Sequence, residues 1–128
     1  ADGANLDRIQ IIKGWLDANG ETKEQIYDVA LSDDRSANWL GKIAPVGNTV
    51  DIASASYSNS IGDPELTAVW TDPDFDPEQR AFYYARVIQI PTPRWTAYDR
   101  KYFGAVIDPR APDIIQDRAY SSPIWYTP

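Results

Sequence analysis

No histidine, cysteine or methionine occurs anywhere in the 128 residues. Without cysteine there is no disulfide framework, no thiolate-ligated zinc, no iron–sulfur cluster and no thiol nucleophile. Without histidine there is no imidazole to serve as general base, proton shuttle or metal ligand. The chemistry left open is that of carboxylates, of a serine or lysine mechanism, and of hard cations held by oxygen. Basic residues are also scarce: twelve Lys and Arg stand against nineteen Asp and Glu, a net charge of −7. That field repels phosphate backbones and anionic headgroups, which argues against nucleic acid and a membrane as partners. No apolar run approaches the ~20 residues of a membrane span. The opening Ala1-Asp2-Gly3-Ala4-Asn5 has neither the basic nor the apolar part of a signal peptide, and the chain reads as a piece of something longer.

What is present suits a folded domain. Hydrophobic residues make up 43% and charged residues 24%, far from the composition of disordered chains, and the length predicts one domain over residues 1–128. Residues 6–16 alternate, with Ile9, Ile11 and Trp15 on one face and Arg8, Gln10, Ile12 and Leu16 on the other, which predicts a strand. Asn19-Gly20 is hairpin chemistry, and residues 22–31 form the return strand. The polar stretch 32–48 is long enough to be either mobile or functional. Residues 49–57, 65–71 and 82–90 predict three further strands, the last carrying a lone Arg86 on the face of Phe82, Tyr84, Ile88 and Ile90. Residues 96–99 offer a side-chain cap for a short helix over 97–103 that Gly104 ends. Residues 114–120 and 124–126 predict an edge strand interrupted at Pro123 and docked beside 82–90, with Trp125 covering one end of the core. Short strands separated by turn chemistry, with almost no helix, predict an all-β fold: an antiparallel immunoglobulin-like β-sandwich with one short helix near the C-terminus.

Three groups of residues carry candidate chemistry. Asp72, Asp74 and Asp76 lie at i, i+2 and i+4, which in an extended segment points three carboxylates one way and suits calcium. An EF-hand is excluded, because Pro77 stands where glycine is needed and Tyr83 where the bidentate glutamate belongs. The competing reading is a pair of turns, with Asp76 capping at Pro77 and Asp72 preceding Pro73. Arg94-Trp95 offers a guanidinium and an indole for an anion or a sugar ring; alternatively Trp95 packs over the end of the fold and Arg94 pairs with an acid. Arg86, if buried, needs a partner, expected to be a carboxylate from another strand. Trp15, Tyr27, Trp70 and Tyr84 occupy positions that suit a core, which leaves Trp39, Tyr98, Tyr102, Trp125 and Tyr126 for a surface. That surface could be a glycan platform built on Trp39, Trp95 or Trp125, or a face that meets another domain. No catalytic residue is expected: Ser121 and Ser122 have no histidine, and no lysine has Ser-x-x-Lys spacing. No cofactor is expected beyond calcium at the three aspartates.

The runs Asp72-Pro73-Asp74-Phe75-Asp76-Pro77, Tyr83-Tyr84-Ala85-Arg86-Val87, Pro91-Thr92-Pro93-Arg94-Trp95 and Ala119-Tyr120-Ser121-Ser122-Pro123-Ile124-Trp125-Tyr126 resemble the C-terminal region of a bacterial family known only as domain of unknown function 3604. The resemblance spans essentially the whole chain. Full-length members carry, further upstream, a His-rich stretch similar to PHP-type metal-dependent phosphoesterases, and none of it is present here. The resemblance therefore implies a non-catalytic C-terminal domain that packs on or completes a metal-dependent hydrolase. Its partner would be the upstream domain of its own chain, in an exported, periplasmic or secreted protein. A glycan-binding module and a calcium-stabilised interaction module are the two alternatives.

Overall fold

The alternation at the start of the chain becomes β1 (Leu6–Leu16) and β2 (Thr22–Leu31) in the computed structural model, which describes residues 3–128. Ala1 and Asp2 of the opening stretch lie outside the described residues. The two strands pair antiparallel from Arg8↔Leu31 to Leu16↔Thr22, with a bulge at Ile9/Gln10. Asp17 closes the turn between them: its carboxylate accepts the N–H groups of Asn19 and Glu21 at 2.9 and 3.0 Å. Five more strands follow, β3 (Ala81–Gln89), β4 (Thr92–Pro93), β5 (Ile114–Ile115), β6 (Arg118–Tyr120) and β7 (Ile124–Tyr126), with helix α1 (Trp95–Phe103) between β4 and β5. β1 lies between β2 and β3, and both β6 and β7 pair with the outer edge of β3. β4 and β5 form a separate two-stranded sheet.

Every pairing is antiparallel. The chain is all-β with one short helix near the C-terminus, as its pattern predicts, and the arrangement is compatible with immunoglobulin-like layering. Residues 118–120 and 124–126 of the tail dock where expected, at Ile88↔Arg118 through Arg86↔Tyr120 and at Tyr83↔Ile124 through Ala81↔Tyr126, whereas Ile114 and Ile115 pair with Pro93 and Thr92 of β4 instead of with β3. The attachment to β3 is mainly a backbone ladder, because Ile124 and Trp125 remain exposed. Trp125 does not cover the end of the core; it rests against Phe82 with ring centroids 5.2 Å apart.

Two predicted strands are absent. In residues 49–57 the Asp51 carboxylate accepts the Ala53 and Ser54 N–H groups, and a single bridge Asp51↔Ser56 folds the segment into a turn. Side-chain acceptors have outcompeted a ladder there. Residues 65–71 pair with nothing as a strand, and Val69 is fully exposed; small and β-branched composition without a neighbour to pair with does not make a sheet. The helix begins two residues earlier than predicted, at Trp95, with Arg94 as an N-cap that makes no side-chain bond. Thr96 does not cap it: its hydroxyl is buried and donates to Pro112 O at 3.0 Å. Gly104 ends it in the left-handed conformation, as predicted. The long stretch 32–48 is tethered, since Arg35 donates to the backbone oxygen and the carboxylate of Asp7, both at 2.6 Å.

The two faces of the main sheet differ. Register places Ile11, Lys13, Tyr27 and Tyr83 on one face, and residues 70–77 cross over it. Ile12, Gly14, Phe82, Tyr84 and Trp125 lie on the other, which no strand covers among the described residues. The fully buried apolar side chains are few, chiefly Ile12 and Ile90, so polar clasps hold much of the irregular chain. The clearest clasp is Asn5, whose side-chain amide donates to Ile61 O and Gly62 O at 3.0 and 2.9 Å, beside the bridge Leu6↔Asp63.

Gly62 sits in that clasp at φ 71°, and a Cβ there would meet Ile90 Cγ2 at 2.5 Å and Leu6 O at 2.8 Å. Left-handed strain and overpacking act together at this site. Gly62→Ala is expected to lower unfolding free energy by about 2–4 kcal/mol, read from urea midpoints, whereas Gly20→Ala, where a Cβ meets nothing within 4 Å, should cost about 1 kcal/mol.

Candidate functional site

β1 carries Lys13 at its centre, on the face crossed by residues 70–77. Both partners in its ion pair are buried: Lys13 Nζ lies 2.6 Å from Asp72 Oδ2, with side chains 3% and 6% exposed. The same ammonium donates to Asp74 O at 2.7 Å, satisfying a charge that could not otherwise stay in the sheet. Tyr83, directly opposite Lys13 on β3, donates its hydroxyl to Asp72 at 2.8 Å. Tyr27 on β2 places its hydroxyl 3.1 Å from Asp74 Oδ2 and 3.4 Å from Asp72 Oδ1. Trp70 closes over the cluster, its ring centroid 4.8 Å from that of Tyr27 and 6.4 Å from that of Tyr83.

The three aspartates therefore do not converge on one point. Asp72 is occupied by Lys13 and Tyr83, and Asp76 accepts the Glu78 N–H at 2.9 Å in the turn that the competing reading describes. Among the described residues, no three acidic side chains come together to hold a metal ion. The cluster is a structural pin, and its chemistry shows in its protonation. Burial works against the Asp72 carboxylate, but the Lys13 and Tyr83 hydrogen bonds outweigh it and hold the group below its ordinary 3.8. Burial, with the hydrogen bond to Asp74 added, pushes the Tyr27 phenol from 10.0 up to about 12. Burial and Asp72 likewise push Tyr83 well above its ordinary value.

The remaining candidates lie on two separate aromatic surfaces and one loop tip. Trp39, on the turn that Asn38 closes, is 90% exposed. Trp95 does not pack over the end of the fold: it is exposed, and the Arg94 guanidinium stacks on it at 5.5 Å instead of pairing with an acid. It opens a stripe along α1, since Trp95, Tyr98 and Tyr102 stand at i, i+3 and i+7, continued by exposed Phe103 and Val106. Only the small Thr96 and Ala97 are buried. The second surface is the uncovered sheet face, where Trp125 joins Phe82, Tyr84 and Tyr120. Successive centroids are 5.2, 6.4 and 6.2 Å apart, beside a groove of about 600 Å³. Phe82 leans across β1 because Gly14 opposite it has no side chain, its ring end occupying the place of a Cβ. On the same face Arg86 donates to Gln10 Oε1 at 2.8 Å, and Gln10 in turn donates to Asp28 at 2.8 Å; its partner is an amide relaying to a carboxylate, not the carboxylate itself.

Trp39, Trp95 and Trp125 thus belong to three places, and Asp72 and Asp74 to a fourth. Phe82, Tyr84 and Tyr120 escape a reading by strand period, since period two marks them as core without saying which face is covered. The signal for α1 was legible in the i, i+3, i+7 spacing of its aromatics.

Because the folded-state values of Tyr27 and Tyr83 are raised, their contribution to stability is complete below pH 10 and declines above it, that of Tyr27 being lost as pH rises through about 12 and that of Tyr83 at still higher pH. Asp72 has the opposite sign, contributing above pH 3.8 and losing its contribution as pH falls below it. Urea midpoints should fall steeply between pH 10 and 12, and Tyr27→Phe with Tyr83→Phe should flatten that limb. Lys13→Met, which strands the buried Asp72 charge, should cost about 3–5 kcal/mol at pH 7.

No curated protein and no solved structure matches the chain. A family model described as a protein of unknown function (DUF3604) matches residues 1–128. The whole chain, from the clasp at Asn5 to the docked tail, therefore belongs to the DUF3604 family.

Proposed function

We propose that this is a non-catalytic accessory domain that packs on, or completes, a PHP-like metal-dependent hydrolase region of a longer chain, using the outer side of α1. The observation that carries this reading is the inverted amphipathicity of the helix. An amphipathic helix on a folded domain turns its large apolar residues inward; α1 turns Thr96 and Ala97 inward and presents Trp95, Tyr102 and Phe103 to solvent, with exposed Val106 just beyond its end. Contiguous apolar surface of this kind marks an interaction site. Arg94 over Trp95 and Lys101 over Tyr102, at 5.5 and 4.7 Å, keep two of the rings oriented and give the patch a cationic rim. The family resemblance supports the choice of partner, since it implies a phosphoesterase-like region upstream in full-length members.

The test is Trp95→Ala combined with Phe103→Ser, made both in this chain and in the longer protein. The isolated domain should keep its melting temperature within about 2 °C, because neither side chain packs on its core. The longer protein should melt several degrees lower and lose amide-exchange protection over residues 95–106. Equal protection of residues 95–106 in the domain and in the longer protein would refute the reading.

A further inference from the structure

We infer that the loop tip at Trp39 is a knob that docks into the groove beside Phe82 on a second copy of this chain, a contact independent of the α1 surface. The tip is held rigid at three levels. Arg35 ties its base to Asp7 at 2.6 Å and to Ala44 O at 3.0 Å, and the bridge Ala37↔Ile43 closes its stem. At the turn itself Asn38 Oδ1 accepts the Leu40 and Lys42 N–H groups at 2.9 and 3.0 Å. Gly41 takes φ 73° there and donates to Asn38 O at 2.8 Å. A compact loop ordinarily packs its own side chains. This one buries none at its apex, where Trp39 is 90% and Leu40 57% exposed. An ordered turn that displays an indole has the form of a binding anchor, because the entropy of ordering is lost before the partner arrives.

The groove offers a matching shape and charge. About 600 Å³ lie open over Leu16, Phe82 and Trp125, at the ends of β1, β3 and β7. Residues 35–50 hold no acid in a chain that has nineteen, so this is the stretch that approaches another acidic copy with least repulsion. Lys42 at the turn and Glu24 in the groove lining are both without an ion-pair partner among the described residues, and each supplies what the other lacks. Of the two cations in the lining, Lys23 is already held by Asp17 and Glu21 at 3.3 and 2.7 Å, which leaves Arg80 to donate to backbone carbonyls of the incoming turn.

The knob cannot reach its own groove. The groove lies at the Thr22 end of β2, whereas the tip leaves from the Leu31 end, where Arg35 fastens its base to Asp7. Ten residues of strand separate the two by about 30 Å. Contact is therefore head to tail, a heterologous interface that adds copies in line or closes a ring and does not stop at a symmetric pair. A bilayer also takes up exposed indoles, but one Trp and one Leu are a small apolar load for a chain of net charge −7.

Sedimentation velocity of the chain over about 10 μM to 1 mM, the span expected of a small transient interface, should show a weight-average coefficient that climbs with concentration. Trp39→Ala at the knob, and Leu16→Glu or Glu24→Lys at the groove, change exposed side chains and should keep the parent's melting temperature while weakening association roughly tenfold or more. Trp95→Ala on α1 should associate as the parent does. Trp39→Ala retains its groove and Leu16→Glu its knob, so the two mixed in equal amounts should form a heterodimer that grows no further. The inference is overturned if the parent stays monomeric to the top of that range, if Trp39→Ala or both groove variants associate as the parent does, or if the mixture gives no heterodimer. Binding to phosphatidylcholine vesicles through Trp39 without self-association would overturn it in favour of a membrane-seeking tip.

Discussion

An ammonium group in the middle of a central strand must find its counter-charge within reach, and that requirement at Lys13 shapes the molecule. β1 has partners on both sides, so Lys13 cannot swing to an edge and must draw chain over its own face. Asp72 supplies the counter-charge at 2.6 Å, and Asp74 O takes a second bond. Residues 70–77 are thereby fixed across the sheet, and Tyr27, Tyr83 and Trp70 close around the pair. A buried pair of this kind contributes little net stability compared with apolar packing, because desolvation opposes the attraction. What it provides is selection of one arrangement for a segment that has no ladder of its own.

The same device recurs along β1. Asp7 holds Arg35 and with it the long segment after β2, while Gln10 links Arg86 on β3 to Asp28 on β2. Asn5, just ahead of the strand, clasps the turn at Gly62. The central strand and the residue just ahead of it are therefore a series of polar anchors, of which Asn5, Asp7 and Lys13 each fasten a different piece of irregular chain and Gln10 ties the neighbouring strands together. This explains how a domain with so few fully buried apolar side chains keeps its non-repetitive half ordered around the sheet.

Fastening so much chain to one face leaves the other open, and the apolar residues that a second layer would cover stand in solvent. They collect in two patches with different geometry. On α1 they form a helical stripe rimmed by Arg94 and Lys101; on the sheet they form a bent cluster of rings beside a groove.

Local alternation was enough to place β1, β2, β3 and the docked tail, because a strand buried on at least one face must repeat every two residues, and Gly104 marked the end of the helix because few other residues take its left-handed conformation. The family was legible too, in the long runs around Asp72, Tyr83 and Trp95. Residues 49–57 and 65–71 misled because their composition suits a strand but their partners do not exist: a ladder is a relation between segments, and no property of one segment reveals that Asp51 will bond its own backbone first. The spacing of the three aspartates has the same limit, and left the cation and the turn readings both open. Their spacing aims them together only if the backbone stays extended, and the pull of Lys13, fifty-nine residues away in sequence, turns Asp72 inward while Asp76 closes a turn. Which aromatics are core and which are surface followed the same rule, since period two sorts residues between two faces and only long-range packing determines which face is covered.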